Sequence, residues 1–253
     1  MSKIYDALRK AEGDKGPFKR NRTPKKKIDV ANPRTKMLFS KIDEDFRNAM
    51  LHLKNSIDSE LKNKQSKVVL FTSSARGEGT TTIAATLARV IALGETDRVL
   101  LMDCSVMNPS IHRLFGVEND FGILDLLSED IDPSKVIKSV DEGVLDIIPI
   151  GTLKDTEVMQ PLFASEKMGS FIKAVSEKYD YVIIDSSAAI HAPETPIIGS
   201  FADGIILVIY SGKTKREVIK RAIMMLEKFD GKVIGTVLNR KKYYIPDFIY
   251  KRV

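Results

Sequence analysis

The chain has 253 residues, of which 43% are hydrophobic and 29% charged, enough to bury one substantial core of a globular protein. No apolar run approaches the roughly 20 residues of a membrane-spanning helix, and Lys3, Asp6, Arg9 and Lys10 leave no room for a signal peptide, so a cytoplasmic location is expected. The net charge of +6 sits in an arm: residues 1–30 carry 10 Lys/Arg and 4 Asp/Glu, and the remaining 30 basic and 30 acidic residues cancel. A neutral body of this kind has no basic face for nucleic acid, whereas the arm suits the inner surface of an anionic membrane or an acidic partner.

Residues 1–12 include Ile4, Leu8 and Ala11 at helical spacing, with Tyr5 beside them and Ser2 as N-cap, and predict a short amphipathic helix. Residues 13–36, rich in Gly, Pro, Lys and Arg, predict a flexible basic connector. Residues 37–242 predict one domain, which opens on a helix from Leu38 to Leu61 with Ile42, Phe46, Ala49, Met50, Leu53 and Ile57 on one face. Strands are predicted at Lys67 to Thr72, Arg98 to Asp103, Val144 to Ile150, Tyr181 to Asp185, Gly204 to Tyr210 and Lys232 to Asn239. Helical patterns at Thr81 to Ala92, Ser165 to Lys178 and Lys215 to Phe229 separate them. This alternation, with strands that read as continuous apolar runs, predicts an α/β fold: a doubly wound, mostly parallel sheet with helices on both faces. Ligands of such sheets sit at the carboxyl ends of the strands, where Thr72, Asp103 and Asp185 fall.

Between the first strand and its helix lies SSARGEGTTT, the frame of a phosphate-binding P-loop. Its candidate nucleotide-binding residues are Ser74, Ala75, Arg76, Gly77, Glu78, Gly79, Thr80, Thr81 and Thr82. Gly77 and Gly79 supply the tight turn and Thr81 the hydroxyl for magnesium, but Thr80 stands where the motif has its lysine. Thr81, Asp103 and Asp185 form a candidate magnesium set, and Asp103 is also the candidate catalytic acid. The alternative for both aspartates is that they end strands and cap neighbouring helices. Arg76 is either a substitute cation for the phosphates or a solvated loop charge.

The ordered segments MSKIYDALRKAE, TSSARGEGTTTIAATLA, VLLMDCSVMNPSIHRLFG, YDYVIIDSSAAI, FADGIILVIYSGKTKREVIKRA and GTVLNRKKYYIPDFIYKR span nearly the whole chain. In them the chain resembles the bacterial tyrosine kinases (BY-kinases) of exopolysaccharide and capsule biosynthesis, the CpsD/CapB-like branch of the P-loop ATPases. The resemblance implies ATP/ADP and magnesium as ligands, autophosphorylation on tyrosine, a membrane polysaccharide co-polymerase as partner, and homo-oligomers. The chain departs from the pattern at several positions. The P-loop lysine is Thr80, the second acid of the D-x-D motif is Ser105, the arginines after it are Met107 and Asn108, and the prolines after Asp185 are Ser187 and Ala188. The arginine that completes the family's interface motif after Glu44 and Arg47 is Met50. The signature lysine of the related septum-site and plasmid-partition ATPases aligns with Ala75.

Three readings follow. The first is a catalytically impaired regulatory protein with weak nucleotide binding, the second an active autokinase, and the third a membrane-surface positioning protein that uses its arm. Residues 243–253 form an apolar and basic tail whose Tyr243, Tyr244 and Tyr250 are phosphoacceptor candidates, although Ile245, Pro246, Phe248 and Ile249 favour a docking segment. Cys104 is expected to pack in the core, and His52, His112 and His191 have no metal-ligand spacing.

Overall fold

A computed structural model of the chain describes residues 43–94, 96–129, 131–141, 145–152 and 159–241. The predicted arm helix and connector (1–36) and the tail with Tyr243, Tyr244 and Tyr250 lie outside the described residues. So does the first part of the helix expected from Leu38.

The described chain begins at helix α1 (Glu44–Glu60), whose N-cap Asp43 accepts from the Phe46 N–H at 2.7 Å. There follow β1 (Lys67–Ser73), α2 (Thr80–Ala92), β2 (Val99–Cys104), and the short helices α3 (Ile111–Phe115), α4 (Ile123–Ser128) and α5 (Pro133–Val136). Next come β3 (Lys138–Asp141), β4 (Leu145–Ile148), α6 (Met159–Phe163), α7 (Glu166–Ser176), β5 (Tyr181–Ser186), α8 (Glu194–Ser200), β6 (Gly204–Tyr210), α9 (Arg216–Glu227) and β7 (Val233–Asn239).

The seven strands form one sheet in the order β3-β4-β2-β5-β1-β6-β7. All neighbours run parallel except β3, which is antiparallel to β4. Successive residues of the central strands feed opposite cores, as the two-residue period of a strand requires. Leu70, Leu100, Ile184 and Leu207 pack on one face with α4, α7 and α9, and Val69, Phe71, Leu101, Ile183 and Val208 pack on the other with α1 and α2. The doubly wound expectation therefore holds. Small residues let α2 lie close on the sheet, and Ala84, Ala85 and Ala88 are fully buried. Met50, at the position where the family has its interface arginine, is only 3% exposed and belongs to the core between α1 and α2. Cys104 is buried, as expected, and burial pushes its thiol well above the usual range.

This strand order brings three loops together. β1 lies beside β5, and β5 beside β2, with Phe71 opposite Asp185 and Asp185 opposite Asp103. The glycine loop that follows β1 therefore stands next to both aspartates at the carboxyl edge of the sheet. A groove of about 520 Å³ lined by Lys64, Ser66, Val68, Ile172, Phe201 and Asp203 lies at the opposite edge and takes no part in this arrangement.

Candidate functional site

The glycine loop is built around one side chain. Glu78 is 2% exposed, and its Oε2 accepts from the Ser74 N–H (2.8 Å), the Ser74 hydroxyl (2.9 Å) and the Ala75 N–H (2.9 Å). Its Oε1 accepts from the Tyr210 N–H at 3.1 Å and from the Thr214 hydroxyl. The Glu78 carbonyl takes the Asn239 side-chain amide at 2.7 Å. Glu78 is thus a strut that ties the loop to β6 and β7, and it occupies the amides of Ser74 and Ala75 from within.

The donors left for an anion lie further on. Gly77 and Gly79 have φ of +78° and +93°, which turn the loop into the start of α2. A Cβ at Gly79 would also come within 2.3 Å of the Asn239 side-chain nitrogen and displace the amide that donates to the Glu78 carbonyl. The first-turn N–H groups of α2, at Thr80, Thr81 and Thr82, have no helical acceptor and sit at the positive end of the helix dipole. Thr80 is 8% exposed and offers no charge where the motif has a lysine. The exposed Arg76 guanidinium lies 3.9 Å from the Met107 sulfur, against the neighbouring loop.

The two aspartates differ. Asp103 Oδ1 accepts from the Ser105 N–H, and its Oδ2 from the Ser110 and Ile111 N–H groups, each at 3.0 Å. It does cap the turn into α3, as the structural alternative supposed. Burial pushes its pKa up to about 6 against the opposing pull of those three N–H donors. Asp185 is fully buried, and neither carboxylate oxygen has a hydrogen-bond partner. The Thr81 hydroxyl approaches closely enough to favour the charged form without reaching hydrogen-bond geometry. Burial first, and the neighbouring Asp103 charge second, hold the Asp185 carboxyl well above the usual range.

An unpartnered buried carboxylate between a threonine hydroxyl and a second carboxylate fits a hard divalent cation with oxygen ligands. Thr81 and Asp185 are the residues that could hold magnesium, and Asp103, already committed to backbone donors, stands behind them. Among the described residues no group of three His, Cys, Asp or Glu side chains forms a metal cluster of its own.

The position of the missing second acid is closed by hydroxyls. Ser105 Oγ lies 3.4 Å from Ser187 Oγ, which also accepts the Met107 N–H at 3.2 Å. The Ser187 carbonyl takes the hydroxyls of Thr72 (2.7 Å) and Thr195 (3.1 Å). The two substitutions, 82 positions apart, thus form one contact. The strut role of Glu78 and this serine pair were not legible in the sequence. The only signal was a glutamate between two loop glycines.

A glycine loop between a central strand and a helix, with acidic ends on the two adjacent strands, defines a P-loop NTPase. The family model described as ParA, NUBPL iron-transfer P-loop NTPase, matches residues 64–251. The tyrosine-protein kinase YwqD of Bacillus subtilis is 31% identical over 190 residues, 75% of this chain and 79% of that protein. The succinoglycan biosynthesis transport protein ExoP of Rhizobium meliloti is 27% identical over 198 residues, which are 78% of this chain but 25% of ExoP. The kinase domain of the Escherichia coli tyrosine kinase ETK superposes with a TM-score of 0.76 at 21% identity, over 90% of this chain and 86% of that one. The chain belongs to the bacterial tyrosine-kinase family of exopolysaccharide and capsule biosynthesis, a branch of the ParA-like P-loop NTPases, with degenerate Walker motifs. Nucleotide and magnesium are the ligands of that family.

Proposed function

We propose that this chain is a catalytically impaired, nucleotide-responsive regulator of exopolysaccharide assembly, acting at the inner face of the membrane with a polysaccharide co-polymerase. One observation carries this reading: Thr80 replaces the P-loop lysine while the loop, the first turn of α2 and the orphaned Asp185 carboxylate persist around it. Anion donors and a cation ligand support weak binding of magnesium nucleotide. Loss of the lysine removes the fixed charge that neutralises the transferred phosphoryl group, and catalysis of phosphoryl transfer consists mostly of positioning and charge stabilisation. Ser105, held by Ser187, brings no carboxylate to activate a tyrosine hydroxyl. Arg76 lies against Met107, which weighs against it as a built-in substitute.

The test is calorimetric titration of ATP and ADP with magnesium into the parent protein and Thr80→Lys. Weak binding is expected in the parent. A charge-assisted hydrogen bond is worth about 1.5–3 kcal/mol, so Thr80→Lys should bind about 10- to 150-fold more tightly. Transfer of labelled phosphate from ATP to tyrosine by the purified parent, at a rate comparable to that of Thr80→Lys, would overturn the proposal in favour of an active autokinase.

A further inference from the structure

The β7 edge of the sheet is bare among the described residues. β7 pairs only with β6, and the Asn239 carbonyl on that side accepts from the Ser211 N–H at 3.0 Å. Backbone groups of an extended strand alternate in direction, so the N–H and C=O groups of Thr236 and Leu238 point away from β6. Leu238 is 59% exposed, and Met224 of α9, the helix packed on this strand, is 69% exposed. A seven-residue edge carrying an exposed leucine is a surface that native sheets cover.

We propose that residues 243–250 of this same chain return along β7 as an added outermost strand, pairing with the free edge groups of Thr236 and Leu238 and covering the Leu238 side chain. Four features select this occupant. Arg240 has φ of +55°, the left-handed conformation that reverses a chain at a strand end. The segment begins within a few residues of that reversal, so tethering gives it an effective concentration of about millimolar, against which a second copy must compete from solution. Its composition is that of a strand, with Tyr243, Tyr244, Ile245, Phe248, Ile249 and Tyr250, and its eight residues span about 26 Å at roughly 3.3 Å each, matching β7. Pro246 lacks an N–H, and within sheets proline is tolerated in edge strands. This inference does not depend on the proposed function. It does have a consequence for that function, because the three tail tyrosines are then held against the chain's own sheet rather than presented for phosphorylation.

Amide hydrogen exchange by NMR tests this on the full chain, at a concentration where light scattering reads a monomer. Thr236 and Leu238 amides should exchange at least tenfold more slowly in the parent than in the double variant Ile245→Asp, Phe248→Asp. In the parent, cross-strand NOEs should join Thr236 or Leu238 to residues 243–250, and this second readout stands if the double variant fails to fold. Equal exchange in parent and variant, or absence of those NOEs, would overturn the proposal. Protection that appears only in a dimer would overturn it too, and assign the edge to a second copy.

Discussion

Asp103 and Asp185 share a register position on adjacent strands, yet their hydrogen bonding makes them opposite kinds of residue. Removing the Asp103 carboxylate orphans three backbone N–H groups, each costing about 1–3 kcal/mol. Removing the Asp185 charge relieves a buried carboxylate that nothing pairs. Asp103→Ala is therefore expected to lower stability by at least 2 kcal/mol (roughly two orphaned donors), and Asp185→Asn to raise it by about 1–3 kcal/mol while weakening any magnesium-dependent nucleotide binding. Thermal unfolding of both variants checks the pair; destabilisation by Asp185→Asn would remove the cation-site reading. The same groups set a pH dependence. Each aspartate has a folded pKa above its unfolded value of about 3.9, so the folded state holds its proton more tightly than the unfolded chain does. That stabilisation is complete below about pH 4 and is lost as the pH climbs through about 6 for Asp103 and through the raised pKa of Asp185. Without nucleotide, the melting temperature should fall across this window, and less steeply in Asp185→Asn.

The glycine loop depends on partners far from it in sequence. Glu78 joins residues four places back to residues 132 and 136 places ahead, and Asn239 closes on its carbonyl from 161 places ahead. The sequence places Glu78 among nucleotide-binding residues because it lies within the P-loop frame; its buried carboxylate instead holds the loop's shape. Glu78→Ala leaves the Ser74, Ala75 and Tyr210 N–H groups without that acceptor, at about 1–3 kcal/mol for each one that stays buried and unpaired. A destabilisation of at least 3 kcal/mol (roughly two such groups) is expected in urea unfolding, together with loss of the weak nucleotide binding proposed for the parent, read by the same calorimetric titration. An unchanged urea midpoint would show that the strut is dispensable.

At the scale of the whole molecule the two ends of the sheet do different work. At the amino end, the Tyr181 hydroxyl donates to Asp58 of α1, which also meets Lys54 at 2.8 Å and Lys67 at 3.4 Å. Lys54 reaches Asp97 at 3.6 Å, and both lysines lie about 5 Å over the Tyr181 ring. This cluster fastens α1 to the sheet from β5, the strand whose far end carries Asp185. Tyr181→Phe should cost about 1–2 kcal/mol in urea unfolding and leave the nucleotide affinity of Thr80→Lys within about twofold. A larger change in affinity would mean that the two ends are coupled.

What the sequence by itself determined follows from local pattern. Central parallel strands, buried on both faces, read as unbroken apolar runs such as VVLF, VLLM and YVII. The glycine loop, the threonine in place of lysine, and the serine in place of the second acid are all read residue by residue. The edge strand β3, with the polar sequence KSVD, carries no such run, and α3 to α6, of four to six residues each, are too short for a helical period to register. Only the tertiary structure decided which of two similar aspartates is spent on capping and which is left without a partner. It alone joined Ser105 to Ser187 and turned Glu78 inward. Each of these outcomes depends on which chain segments the sheet order makes neighbours, and hydrogen bonds to buried polar groups are assigned by that neighbourhood rather than by position along the chain.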